Sequence, residues 1–373
     1  DISTLYMDNG YLFFRADPIE KGVRKDSVDL EIRISEGPVA IIANVIIKGN
    51  DRTHEHVIRR ELRTLPGNKF SRSDLIRSQR ELTALNYFNP DNLQINTPVN
   101  PQRGTVDIEY IVEERPSDQL ELSAGWGGIG RGVIGTLGVT FNNFSLRNLF
   151  KAEAWNPLPQ GDGQKLSLRI QTNGRFYQSY NFSFTEPWLG GKKPNAFSLS
   201  AYHTNFNNGF SQESSAFQRL QITGASLGLG TRLRFPDDFF VYQVSLNYQN
   251  MDLLRRFDFE IPTGSFHNLS LSQTLSRNSI DNPIFPQKGS NISLTLKLTL
   301  PYSLFDNKSA DDYAQMNPAN KFRLLEYHKW DFLAEWYGKI VKNFIVKLGV
   351  KMGFLGFYNP NIGLSPFERY ELG

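Results

Sequence analysis

The chain contains no cysteine. That absence removes disulfide frameworks, thiolate metal sites and cysteine nucleophiles together, and it suits a reducing or an oxidising compartment equally. Long apolar runs are missing too: nothing approaches the ~18 uninterrupted apolar residues of a membrane-crossing helix. With a mean hydropathy of −0.40, a helical membrane protein is excluded. A charge excess of one sign is also absent. Lys plus Arg number 41 against 38 Asp plus Glu, so no electrostatic footprint for nucleic acid exists. Residues 1–25 lack the basic, apolar, small-residue succession of a secretory signal. The chain is therefore expected to be cytosolic or a mature or trimmed piece, and the pattern further on favours the piece.

Catalytic signatures are scarce as well. No HExxH or P-loop pattern occurs, so metal-assisted peptide hydrolysis and phosphoryl transfer have no candidates and no enzyme is expected. Gly125-Trp126-Gly127-Gly128-Ile129-Gly130 fits GxGxxG in form. It lies between two alternating strands, however, where a dinucleotide loop needs a buried strand before it and a helix after. No cofactor is expected. His54-Glu55-His56 looks ligand-like, but two imidazoles at i and i+2 on a helix point to different sides. The sequence thus predicts a solvated helix start and no metal. Asn-x-Ser sequons at Asn143, Asn181, Asn268, Asn291 and Asn307 sit in or beside strands and read as chance.

What is present is aromatic and glycine content: 13% Phe, Trp and Tyr beside 30 Gly. With low hydropathy, that suits an alternating β-protein having two differently wetted faces. Two textures meet near Pro116. Residues 38–115 read as β-α-α-β-β. A strand over 39–48 turns at Gly49-Asn50-Asp51, and Thr53 is the expected N-cap of a helix bearing Val57, Ile58, Leu62 and Leu65, stopped by Pro66-Gly67. A second helix follows Ser71, with Asp74 at capping-box spacing and a face of Leu75, Leu82 and Leu85, with Ile76 beside it. Strands 93–99 and 105–112 complete the unit. The opening residues repeat its end: Asn9-Gly10-Tyr11 matches Asn86-Tyr87-Phe88 and Val28–Ile32 matches Val106–Tyr110, at 77–78 residues. Such a period signals tandem modules. The chain is expected to begin inside the second helix of a preceding copy.

After Pro116 the period is two and helices vanish. Leu166, Leu168 and Ile170 alternate with Ser167, Arg169 and Gln171, and Ile292 to Leu300 alternate with Ser293 to Thr299. Eleven strands are expected: 118–127, 132–143, 164–173, 177–187, 196–206, 217–235, 239–251, 266–276, 290–300, 321–341 and 343–357. Strands of about 9–11 residues cross a bilayer at a tilt. In the last hairpin, a three-residue loop at 341–343 keeps Trp330, Phe332, Ala334, Trp336 and Ile340 on one face with Phe344 to Met352, and sets Glu335 diagonal to Lys347 and Lys351. A soluble sandwich could bury such a greasy face against a second sheet. Eleven long strands without a helix favour a membrane barrel.

Two segments are more specific. Phe184-Thr185-Glu186-Pro187-Trp188-Leu189 closes one strand, and Asp281-Asn282-Pro283-Ile284-Phe285-Pro286-Gln287-Lys288-Gly289 introduces another. Together with the β-α-α-β-β unit ending in Val-Asp-Ile-Glu-Tyr-Ile-Val-Glu-Glu, they resemble the POTRA domain and barrel of BamA-type outer-membrane assembly factors. The resemblance covers essentially the whole chain. The family's Arg-Gly-Phe-type loop motif is not found, although residues 366–373 resemble the stretch that precedes it.

The resemblance implies an α+β periplasmic POTRA region followed by an all-β antiparallel transmembrane barrel, with about eleven of sixteen strands present. Residues 1–37 would be the tail of one POTRA domain, 38–116 the last complete one, and 117–373 the start of the barrel. It further implies insertion of client β-barrels through a lateral seam. Asp118, Gln119, Leu120, Glu121, Leu122, Ser123, Ala124, Gly125, Trp126 and Gly127 would pair with the client strand. The POTRA edges, Val39, Ile41, Val45 and Ile47 with Leu93 and Ile95, would hold clients or accessory BamD-like periplasmic lipoproteins. Glu186, Pro187, Trp188, Asp281, Asn282, Pro283, Pro286 and Gly289 would serve the barrel structurally. Partners would be nascent barrel proteins, lipoproteins and outer-membrane lipid. A pore of the same superfamily secreting a soluble partner, or a TamA-like factor, is the alternative.

Overall fold

The structure, a computed structural model, describes residues 2–126, 132–155, 158–255, 262–281, 285–306, 308–341 and 344–370. The chain divides into two compact units: Asp1–Asp118 with Asn142–Gly163, and Gln119–Phe141 with Gln164–Gly373. The segment 142–163, which the sequence places with the strands, thus belongs to the first unit.

The first unit opens with helix α1 (Ile2–Asp8) and an antiparallel hairpin, β1 (Arg15–Arg24) and β2 (Ser27–Ser35). Then come β3 (Ile41–Lys48), α2 (Glu55–Arg59), α3 (Arg72–Ala84), β4 (Gln94–Asn96), β5 (Val99–Asn100) and β6 (Thr105–Ile111). β6 is central, parallel to β3 and antiparallel to β4 and β5. Its alternation sends Val106, Ile108 and Tyr110 into a core with Ile42, Val57, Ile58 and Leu82. α3 begins where Ser71 Oγ accepts the Asp74 N–H, and Leu82 is fully buried while Ile76 stays exposed.

Two elements differ from the sequence reading. Thr53 is not the cap: its Oγ1 accepts from Asn143 Nδ2 at 2.8 Å, and the helix begins at Glu55 with His54 in the N-cap position. That helix is only five residues long: the Glu61 and Leu62 N–H groups turn to carbonyls three residues back, and Arg63 then gives its N–H to Ser78 Oγ. The strand expected over 93–99 breaks before Val99, where Pro98 has no N–H to offer and its carbonyl accepts from Asp107.

The second unit is an eleven-stranded antiparallel meander. Its strands are β7 (Gln119–Trp126), β8 (Val133–Phe144), β9 (Gln164–Thr172), β10 (Tyr177–Glu186), β11 (Asn195–Asn207), β12 (Arg219–Arg232), β13 (Phe240–Leu254), β14 (Gly264–Asn278), β15 (Gly289–Thr299), β16 (His328–Val341) and β17 (Phe344–Gly356). Each pairs with its neighbours in sequence, leaving β7 and β17 at the ends. The register builds an apolar row: Leu166, Phe184, Leu199, Leu227, Leu246, Leu271 and Leu298 stand opposite one another across β9 to β15. One residue along, on the other face, Ser167, Ser183, Ser200, Ser226, Asn247, Ser270 and Thr299 form a polar row. A wall with one oily face and one wet face follows from pleating alone.

The final hairpin keeps the expected register from Trp330↔Phe354 to Lys339↔Ile345, and Glu335 pairs with Lys347 at 2.6 Å. Val341 is a strand residue opposite Phe344, with a bulge at Ile340, so it is not loop as expected. Lys342 and Asn343 lie outside the described residues. Helices do not vanish after Pro116. The stretch between β15 and β16 holds α4 (Ala310–Gln315), closed by a Ser309–Asp312 capping box, and α5 (Pro318–Lys321). β16 accordingly starts at His328, not at 321.

Candidate functional site

β7 has a neighbour on one side only. It pairs with β8 from Gln119↔Thr140 to Trp126↔Val133, and among the described residues no strand lies on its other side. All eight of its residues are exposed. Leu120, Leu122 and Trp126 share the apolar face with Val139, Leu137 and Val133. On the opposite face Glu121 accepts from Arg169 Nη2 at 2.9 Å, beside Thr136, Thr140 and Ser167. A Cβ at Gly125 would meet nothing within 4 Å, so this glycine only thins the cross-strand packing. Asp118 precedes the strand: its carboxylate accepts from Gln160 Nε2 and the Asn142 N–H within the first unit. Gly127 lies outside the described residues.

The module's edge strands are β3 and β4, but their side chains largely face inward. Val45 and Leu93 are buried core residues, and Ile47 and Ile95 pack against that core. The outer edge of β3 is also partly occupied. The Ile42 N–H donates to Asn68 O, its carbonyl accepts from Gly67, and Val45 O accepts from Arg59 Nη2. Val39 is half-buried, and Ile41 uses its N–H on Gly104 O beside β6.

The two turn motifs have identifiable mechanics. Glu186 ends β10, where its carboxylate accepts the Trp188 N–H at 2.9 Å and Gln164 Nε2 at 2.7 Å across Pro187. Asp281 Oδ1 accepts the N–H groups of Gln287 and Lys288, closing the turn after Pro286. Gly289 has φ +112°, and a Cβ there would sit 2.3 Å from Ser279 O. Asn282 and Pro283 lie outside the described residues.

A polar cluster escaped the sequence analysis. His54 is extended and outside the helix, so the i, i+2 argument fails: its ring stacks on that of His56, with centroids 5.6 Å apart. Both face Asp162, with His54 Nδ1 at 2.8 Å and His56 Nε2 at 3.7 Å from Oδ1. Ser145 Oγ donates to the other oxygen at 2.6 Å. Burial would push this carboxyl up, but the Ser145 and His54 contacts outweigh it and hold it below the usual carboxylate range. The order Ser–Asp–His gives Ser145 no base, so the trio is not a nucleophile triad. Asn143, read as a chance sequon, is buried and bridges Thr53 Oγ1 and the Gly163 N–H. Only the pairing of 142–163 with the module reveals these partners; no local spacing does.

Relatives of known sequence and structure place this arrangement. Residues 40–115 match the POTRA family, surface antigen variable number repeat. The outer membrane protein assembly factor BamA of Neisseria meningitidis serogroup B is 24% identical over 365 residues, covering 93% of this chain and 40% of that protein. BamA of Nitratidesulfovibrio vulgaris is 28% identical over 189 residues, half of this chain and 21% of its own length. In three dimensions, BamA from Haemophilus ducreyi lacking POTRA domains 1–3 aligns with a TM-score of 0.61 at 20% identity, over 98% of this chain and 64% of that one. CdiB from Escherichia coli aligns at 0.55 and 12% identity, over 96% and 61%. The chain therefore spans well under two thirds of the curated relatives it matches. The Omp85 superfamily domain matches residues 160–373, more than half of the chain, which thus belongs to the Omp85 superfamily of outer-membrane proteins, with a POTRA module ahead of its barrel strands.

Proposed function

We propose that the protein containing this chain folds β-barrel proteins into the outer membrane, using β7 to template the entering strand. The observation that carries this reading is the match to the Omp85 superfamily and to BamA assembly factors, with β7 as the first strand of the sheet. In lipid, each unsatisfied backbone group costs several kcal/mol, so a client must form hydrogen bonds as it enters. The eight residues of β7 would offer those bonds by strand addition. The weakly packed end at Gly125 helps a seam there to open. The related assembly factors from Neisseria and Nitratidesulfovibrio support the same assignment.

The POTRA module would hold extended client segments or accessory lipoproteins on the periplasmic side. Its side chains point into the core, so this recognition would run through main-chain groups along β4 and the end of β3. Sequence tolerance follows, as a factor serving many clients requires.

Depleting the full-length protein in its own host tests the reading. Assembly predicts that many outer-membrane barrel proteins fall together. Loss of a single secreted product, with the barrel proteins unchanged, would assign it instead to secretion of a soluble partner.

A further inference from the structure

We propose that His54, His56 and Asp162 bind a zinc ion that staples the segment 142–163 to the POTRA module. Three donor atoms, two imidazole nitrogens and one carboxylate oxygen, all lie within 4.8 Å of one another. Zinc takes such ligands at about 2.0–2.1 Å in tetrahedral geometry, which sets donors roughly 3.3 Å apart. The observed separations of 2.8 and 3.7 Å from Asp162 Oδ1 bracket that value. Water would take the fourth position.

The surroundings are built for a ligand carboxylate. Asp162 is buried, and its second oxygen is fixed by the Ser145 hydroxyl, the outer-shell contact that orients a metal-bound carboxylate. Gly161 has φ +118°, and a Cβ there would sit 2.6 Å from Arg52 O and 3.0 Å from the His54 ring, so glycine is what lets the chain pass. Both imidazoles are about half exposed, which gives the ion an entry path. Arg60 reaches the Asp162 main-chain carbonyl at 3.4 Å. Two nitrogens and one oxygen suit zinc over calcium or magnesium, which take oxygen ligands. On binding, the metal replaces the hydrogen bond between His54 and Asp162, and both rings are neutral ligands.

The test uses the full-length protein in detergent, stripped of metal and titrated with Zn2+ by calorimetry, with amide exchange followed by mass spectrometry. One tight Zn2+ per chain is expected, with slower exchange over 142–163. His56→Gln, at a half-exposed ring, should weaken that binding at least about tenfold and abolish the slowing, since even outer-shell losses cost 10–100-fold. Unchanged exchange across α3 would show that the variant is folded. His328→Gln, remote from the cluster, should change neither readout. Equal Zn2+ affinity in the protein and in His56→Gln, or no Zn2+ effect on 142–163, would overturn the proposal and leave the trio as a hydrogen-bonded pin only.

Discussion

Leu227 on β12 stands directly opposite Leu246 on β13, while their chain neighbours Ser226 and Asn247 face each other on the reverse side, joined by a 2.6 Å hydrogen bond. This one pair of pairs contains the logic of the wall. A shift of one residue in register would put every leucine in water and every serine in lipid, so the alternation locks the pairing. Repeated over seven strands, it makes an oily outside and a hydrogen-bonding inside.

The two faces should respond differently to charge. Leu296 lies opposite Trp330 and Thr295 opposite Asp331. Leu296→Lys, on the oily face, is expected to cost about 2–4 kcal/mol near the midplane, and Thr295→Lys much less. Chemical denaturation of the full-length protein in lipid vesicles measures both; equal tolerance would invert the face assignment.

Within the first unit, Asn143→Ala removes a buried amide that serves two partners, Thr53 Oγ1 and the Gly163 N–H. Leaving these unsatisfied should cost about 1–3 kcal/mol. Faster amide exchange at 142–163, with exchange in β12 and β13 unaltered, is the expected signature.

Gly289→Ala forces a Cβ to 2.3 Å from a backbone oxygen at a positive φ, which only a shift of the turn can relieve. A loss of at least about 2 kcal/mol is expected. Gly338→Ala on β16 meets nothing within 4 Å and should be nearly neutral. Thermal unfolding of the two variants side by side checks the contrast.

Lys297 and Lys329 face each other across β15 and β16, a repulsive pair that Glu368 offsets at 2.8 and 3.5 Å, with Tyr327 donating to the same carboxylate. Glu368→Ala leaves two like charges unscreened in a partly buried site. It should cost about 3 kcal/mol and free residues 357–370 to proteolysis. Adding Lys329→Met should recover much of that loss.

The sheet was legible because its signal is local. Alternation such as Ile292-Leu294-Leu296 against Ser293-Thr295-Lys297 states both strand and face, and all eleven strands are recovered from it. The α/β module was legible from capping at Ser71 and from the periodic core of β6. The rest depends on distant partners. Thr53 is no cap because its hydroxyl accepts from Asn143, 90 residues beyond, and Arg63, past the end of α2, gives its N–H to Ser78. His54 and His56 meet only when Asp162, 108 residues beyond His54, arrives between them. Glu368 shows the same limit, since its lysines lie on two other strands.

The central claim is that β7 receives the incoming strand. Single cysteines at Leu120, Leu122 and Ala124 of the full-length protein, paired with cysteines along the terminal strand of a stalled client, measure it directly. The account predicts disulfides that follow one fixed register along β7, and none to a cysteine at Leu227 or Leu246 in mid-sheet. Insertion of the client at the wild-type rate with no β7 adduct at any position would contradict it.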